Sequence, residues 1–254
     1  VRIASWNVNG IRAREAALEA WIRRACPDVL LLQEVKALEQ DIPSALSSLG
    51  GYRSFWNGSS FRKGYSGTGI LLRECPELEG AVFEIPPFDL ENRTVALHAG
   101  PLSIIGTYAP RGDSPEHYAV KLRYFEDMRG YIARQLGEGR QVLLCGDMNV
   151  AHRDIDLHRS QLKEGATGVR REERSAIDAF IALGLSDVMR ALNPERRDLF
   201  TWWPYWRMAR ERNLGWRIDC FYLSGPLDGR VLKAEVDTLE KSSDHAPILL
   251  ELHP

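Results

Sequence analysis

The run "QVLLCGDM", residues 141–148, is a short apolar stretch that ends on a glycine, an acid and a methionine, with Asn149 next. Its length and polar borders read as a buried strand whose end delivers polar side chains. The same pattern recurs in RIASWNV (2–8), DVLLLQEV (28–35), GTGILL (67–72), LSIIGTY (102–108), RIDCFYL (217–223), VLKAEV (231–236) and APILLEL (246–252). So many short runs rich in Val, Ile and Leu imply a sheet-based core.

Helical patterns lie between some of them, at residues 12–25, 114–136 and 171–184. In the second, Ser114 is a good N-cap and Pro115 suits the first helical position, where its missing N–H costs nothing. Tyr118, Leu122, Phe125, Ile132 and Leu136 recur there at helix-like spacing and read as a core stripe. Strands grouped at both ends of the chain with helices interposed suggest an α/β fold in which two sheets pack face to face under helices. No linker, internal repeat or low-complexity segment is visible, so one domain over residues 1–254 is expected.

The formal net charge of −2 gives no global field towards nucleic acid or an anionic membrane, so anion binding has to be local. Residues 195–217 carry six arginines against three acids, a local excess of three positive charges. Cys26, Cys75, Cys145 and Cys220 stand far apart with no C-x-x-C pair, which argues against a structural zinc site or a disulfide scaffold and fits a reducing cytoplasm. No stretch approaches the roughly 20 apolar residues of a bilayer span, and the N-terminus lacks a signal-peptide pattern. A cytoplasmic protein without a membrane partner is expected.

Polar residues gather where the apolar runs stop: Asn7 and Asn9, Glu34, Tyr108, Asp147 and Asn149, Asp219, and Asp244 with His245. Any one of them alone reads more simply as a solvated turn residue or a satisfied structural histidine. Their joint occurrence carries the argument, because strand ends on a rigid sheet bring distant sequence to one cleft. The set offers hard oxygen donors, amides and an imidazole, with no thiolate cluster and no G-x-S-x-G elbow. Such donors suit Mg²⁺ or Mn²⁺ and phosphodiester hydrolysis, in which a water is deprotonated and phosphoryl charge neutralised.

SWNVNGIRA (5–13), DVLLLQEVK (28–36), KGYSGTGILL (63–72), GTYAP (106–110), GDMNVAHRDIDL (146–157), NLGWRID (213–219) and SSDHAPI (242–248) occur in this order along essentially the whole chain. In them the chain resembles the exonuclease III-type abasic-site endonucleases of the endonuclease, exonuclease and phosphatase superfamily. The resemblance implies a DNase I-like four-layer sandwich of two mostly antiparallel sheets flanked by helices, acting as a monomer on double-stranded DNA with abasic sites or blocked 3′ ends. It implies that Glu34 is the main Mg²⁺ ligand, with Asn7, Asn9 and Asp244 beside it. Asp147 then activates the attacking water with help from Asn149, Asp219 holds His245 against the phosphate, and Tyr108 stabilises charge at the phosphate or leaving oxygen. Tyr65 and Arg93 match positions that touch the DNA backbone. Asn9, Arg111 and Trp206 depart from residues common in relatives and bear on substrate preference.

The same superfamily contains inositol-polyphosphate phosphatases, sphingomyelinases and RNA deadenylases, and a catalytically dead DNA-binding relative is a further alternative. The segment LGWRID before Asp219 differs from the P-A-W-C-D-R type of the inositol phosphatases, and every position the chemistry requires holds a competent residue. The aromatic cluster TWWPYW (201–206) lies just upstream. By resemblance, Trp202, Trp216 and Ile218 wall a pocket for a flipped-out abasic sugar, while Tyr205, Trp206 and Arg207 face DNA. Trp203 is expected in the core, and Arg210 and Arg212 are expected to add phosphate contacts.

Overall fold

The computed structural model describes residues 1–253. In chain order the strands are β1 (Arg2–Asn7), β2 (Val29–Gln33), β3 (Tyr52–Asn57), β4 (Thr68–Arg73), β5 (Val82–Glu84), β6 (Thr94–Ala99), β7 (Leu102–Tyr108), β8 (Gln141–Asp147), β9 (Leu185–Asp187), β10 (Asp219–Ser224), β11 (Val231–Val236) and β12 (Ile248–Leu252). The helices are α1 (Glu15–Ala25), α2 (Ser44–Ser47), α3 (Pro115–Gly137), α4 (Arg171–Ala182), α5 (Val188–Leu192) and α6 (Gly225–Asp228). Two six-stranded sheets result, ordered β11-β12-β1-β2-β4-β3 and β5-β6-β7-β8-β10-β9. Each is antiparallel except for one central parallel pair, β1 with β2 and β7 with β8, joined by α1 and α3 respectively. The two sheets thus repeat one plan, a duplication of structure that has no visible counterpart in the sequence.

Strand β8 shows why its sequence is apolar throughout. Side chains alternate across a strand, so Leu143 and Cys145 enter the layer between the sheets, beside Ile3, Leu31, Ile104 and Phe221. Val142 and Leu144 point the other way, into the layer that α3 and α4 cover with Phe125, Ile132 and Phe180. On the far side, α1 packs Leu18 and Trp21 against Trp6 and Leu30. With both faces of both sheets covered, the four-layer sandwich is complete. At Gly106 the sheets approach so closely that a Cβ would lie 2.4 Å from Leu31 Cδ2.

The buried face of α3 differs from the expected stripe. It runs through Lys121, Tyr124, Phe125, Met128, Tyr131, Ile132 and Gln135, whereas Tyr118, Leu122 and Leu136 sit at its edges. Hydrophobic spacing misses this face because two of its members are polar, Lys121 being neutralised by Glu173.

A second buried charge network fixes the approach to β10. Arg217 is paired with Asp156 (Nε to Oδ1, 2.8 Å) and Asp187 (Nη2 to Oδ2, 2.7 Å), and Arg190 shares Asp156. Burial pushes the Asp156 carboxyl up, but Arg217 and Arg190 outweigh it and hold it below the usual carboxylate range. A depressed folded-state pKa gives stability that is present above the ordinary carboxylate range and lost as pH falls through the folded value. Asp156→Asn should destabilise the fold by about 3–5 kcal/mol by leaving buried arginine charge unpaired. Denaturant melts at neutral pH check this, and a loss below about 1 kcal/mol would contradict it.

Candidate active site

The carboxyl ends of the two parallel pairs meet at one cleft. Asn7 and Glu34 arrive from β1 and β2, and Tyr108 and Asp147 from β7 and β8. Asn7 stitches the halves together, its Nδ2 donating to Glu34 Oε1 (2.8 Å) and Asp147 Oδ2 (2.9 Å). The turns after β1 and β8 are twins: the Asn9 N–H donates to Asn7 Oδ1 (3.0 Å), and the Asn149 N–H to Asp147 Oδ1 (2.8 Å). Asn9 and Asn149 are left-handed there, a conformation asparagine tolerates, as is Glu34, for which it is less common. Gly146 sets up the second turn at φ 130°, where a Cβ would lie 2.0 Å from Thr107 O.

The loops around β10 and β12 close the site. Thr201 is buried and clips them together, its hydroxyl donating to Asp219 Oδ2 (2.6 Å) while accepting the N–H groups of Ile218 and Asp219 (3.1 Å each). The other partner of Asp219 Oδ2 is His245 Nδ1 at 2.9 Å, and His245 Nε2 faces Asp147 Oδ2 at 3.8 Å. Burial disfavours the charged imidazole, but Asp219 and Asp147 overcome it and raise the ring's pKa to about 10, which favours the imidazolium at neutral pH. Burial pushes the Asp147 carboxyl up, opposed by His245 and reinforced by Asp219. A carboxylate of raised basicity is suited to take a proton from water. Burial, then Glu34 and Asp147, raise the Tyr108 phenol well above its ordinary value, so it stays a hydrogen-bond donor.

The cleft is a cavity of about 360 Å³ that includes Glu34, Tyr108, Asp147, Asn149 and His245. Trp202, Trp216 and Ile218 form its apolar side, the two indoles meeting edge to face with centroids 6.3 Å apart. Trp202 Nε1 donates to Asp244 Oδ2 (3.0 Å), tying this wall to the polar centre. Trp203 is buried beside Phe200 and Ala246, whereas Tyr205 and Trp206 are exposed, and Arg207 lies over the Trp206 ring.

The side-chain contacts bear on three of the expected roles. Asn7 does not offer its oxygen outward, since Oδ1 accepts from Asn9 and the amide NH₂ faces two carboxylates; it positions Glu34 and Asp147. Arg93 is 2 % exposed, paired with Glu91 and stacked between the rings of Tyr65 and Tyr108, so it braces those tyrosines. Arg210 spends its guanidinium on the carbonyls of Ser243 and Glu240 over the Trp203 ring, and Arg217 is buried. The local positive surface is therefore smaller than the sequence count, with Arg196, Arg197, Arg207 and Arg212 left exposed.

Sequence reading missed two residues. Lys36, inside the quoted LQEVK, bridges Glu34 Oε2 and Asn9 Oδ1 at 2.6 Å each. Thr201, the first letter of TWWPYW, was passed over beside its aromatic neighbours. Donor atoms of Glu34, Asp147 and His245 lie within 4.8 Å of one another, a buried acid and histidine cluster suitable for a divalent metal. The lysine ammonium shows that the oxygens of Glu34 and Asn9 face one cation-sized point.

A two-sheet sandwich with such a cluster at the ends of its parallel strands defines a hydrolase of phosphate esters. The chain belongs to the endonuclease/exonuclease/phosphatase family, whose model matches residues 4–245, and within it to the exonuclease III and AP endonuclease family. It is 31% identical over 268 residues to exodeoxyribonuclease III of Haemophilus influenzae, covering 99% of each chain. It superposes on an AP endonuclease from Archaeoglobus fulgidus with a TM-score of 0.88 and 31% identity, each chain covered in full (100%). The 3′ phosphatase NExo from Neisseria, solved with a product DNA hairpin, gives a TM-score of 0.89 at 27% identity, with 100% of this chain and 99% of that one covered.

Proposed function

We propose that the chain is a Mg²⁺-dependent DNA-repair nuclease that hydrolyses the phosphodiester 5′ of an abasic site in duplex DNA. The products are a 3′-hydroxyl and a 5′-deoxyribose phosphate. The observation that carries this reading is the union, in one cavity, of a buried carboxylate, a carboxylate-paired histidine and an apolar indole wall. The wall accepts a sugar without a base, and a normal nucleotide is excluded because its base does not fit.

In this reading Asp147 takes the proton of the attacking water as its oxygen bonds to phosphorus, with Asn149 orienting that water. His245, held by Asp219, donates to a non-bridging phosphate oxygen and balances the added charge of the phosphorane. The bond to the 3′ oxygen breaks, the Tyr108 phenol hydrogen-bonds the departing alkoxide, and a proton from solvent water completes the 3′-hydroxyl. Glu34, with Asn9 and Asp244 alongside, would hold Mg²⁺ or Mn²⁺, which supplies Lewis-acid stabilisation of developing oxygen charge. The likeness to a protein solved as a 3′ phosphatase supports trimming of blocked 3′ ends by the same cleft, and its description as a 3′-5′ exonuclease supports exonuclease action.

The test is a labelled duplex with one abasic analogue, with Mg²⁺ or with EDTA, beside an intact duplex, an RNA and a soluble inositol phosphate. Metal-dependent cutting confined to the abasic strand is expected, and preference for the inositol phosphate would overturn the reading. Trp206, half exposed with Arg207 over its ring, is read as a wedge for the base stack. Trp206→Ala should weaken binding to the abasic duplex by about tenfold, the scale of one aromatic stacking contact, with little change in rate at saturation. Unchanged affinity in a binding titration would remove the wedge.

A further inference from the structure

We propose that the buried ion pair Lys121–Glu173 holds the coil wall of the cavity in place and thereby makes the site selective for a sugar without a base. The inference rests on the abasic-site reading above and adds the device that sets its selectivity.

Both side chains are 0% exposed, and neither takes part in the chemistry. Lys121, on the buried face of α3, donates to the backbone carbonyls of Asn149 (2.8 Å) and Arg111 (3.2 Å). Glu173, in the first turn of α4, accepts the Gly168 N–H on both oxygens (2.8 and 2.9 Å) and the Arg170 N–H (2.9 Å). The Thr167 hydroxyl fills the gap, 2.9 Å from Arg111 O and 3.3 Å from Glu173 Oε1. Arg111, Asn149, Thr167 and Gly168 all line the cavity. One ion pair therefore gathers four of its lining residues from three separate segments.

The wall it gathers lacks a sheet or helix of its own. Residues 162–170 are coil and turn between the short 3-10 turn Arg159–Gln161 and α4. Gly168 is packed against the pocket tryptophan so tightly that a Cβ would lie 3.0 Å from the Trp216 ring. Any outward drift of this coil opens the space beside Trp216, the space a base would need. Taking two charges out of water is costly, and an apolar pair of the same volume would brace a helix contact as well. Lys121 and Glu173 instead present donors and acceptors that fix backbone groups of the wall by direction as well as distance.

The test compares internal incision of two closed DNA hairpins, one with an abasic analogue and one with a normal nucleotide at that position, so that no free 3′ end competes. Lys121→Met and Thr167→Val are each expected to lower the abasic-to-intact ratio of kcat/KM by about tenfold or more, the scale on which pocket shape discriminates. Partial unfolding or a slower chemical step reduces both substrates alike and leaves this ratio unmoved. Arg123→Ala, which removes an exposed pair with Asp127 on the outer face of α3, should leave the ratio at the wild-type value. Should Lys121→Met fail to fold, Thr167→Val decides alone. Unchanged ratios in the variants, with wild type discriminating, would overturn this inference only; a wild type that leaves the abasic hairpin uncut overturns the function as well.

Discussion

Single-turnover incision of an abasic duplex is expected to slow by about 10²–10⁴-fold in His245→Ala, the range of a lost proton-donating group that faces phosphate charge. His245 lies between two carboxylates, Asp219 at 2.9 Å and Asp147 at 3.8 Å. Removing the ring leaves those charges facing each other, and in the proposed mechanism the phosphate loses a buried cationic donor. The measurement is a rapid-quench time course with enzyme in excess, beside a melt showing that the variant is folded. A wild-type rate would sink the assignment.

Asp219→Asn separates charge from position. The amide still reaches Nδ1 but no longer favours the protonated ring, so the imidazole pKa drops from its raised value. In the proposed mechanism the protonated form is the active one and exists below that pKa, so the residual activity should fade at lower pH than in wild type. A rate profile over neutral to alkaline pH reads the shift; coincident alkaline limbs would mean that Asp219 does not set the charge of His245. Thr201→Val, which removes the hydroxyl donated to the same Asp219 oxygen at 2.6 Å, should move the profile in neither direction as far.

How much of this was legible in the sequence follows from what each residue must satisfy. β8 was readable because both of its faces are buried and it ends on an acid. The YRSFWN run of β3 and the three-residue strands β5 and β9 were not: a half-exposed edge needs no continuous apolar run, and three residues give no period. β6, TVALHA, is buried along most of its length, yet its threonine and histidine interrupt the apolar signal. The strand-end acids were legible through their joint pattern and the family resemblance. The contacts of Arg93 with Glu91 and of Asn7 with Glu34 and Asp147 are not legible, because sequence names a donor without saying which way it is turned. Lys121 and Glu173 were invisible for a related reason: on a helix, a charged residue reads as solvent-facing until its counter-ion, 52 residues away, is found on another helix.

Glu34→Ala should produce the other large loss, about three orders of magnitude in single-turnover rate at a fixed few millimolar Mg²⁺, if charge stabilisation worth several kcal/mol passes through this carboxylate. Its setting supports that weight. Glu34 is held in a left-handed turn at φ 49°, Asn7 fixes Oε1, and Oε2 points at the place where Lys36 and Asn9 meet. A side chain so constrained is preorganised for one cation, and alanine leaves Lys36 there without its acidic partner. The loss should be accompanied by a rise in the Mg²⁺ concentration giving half-maximal rate, and Mn²⁺, which binds oxygen donors more tightly, should recover part of the rate. An unchanged metal dependence combined with a slow rate would assign Glu34 to positioning Asn7 and Asp147 instead. The two outcomes are distinguished by titrating metal at saturating enzyme, because a positioning defect lowers the plateau whereas a lost ligand also shifts the midpoint.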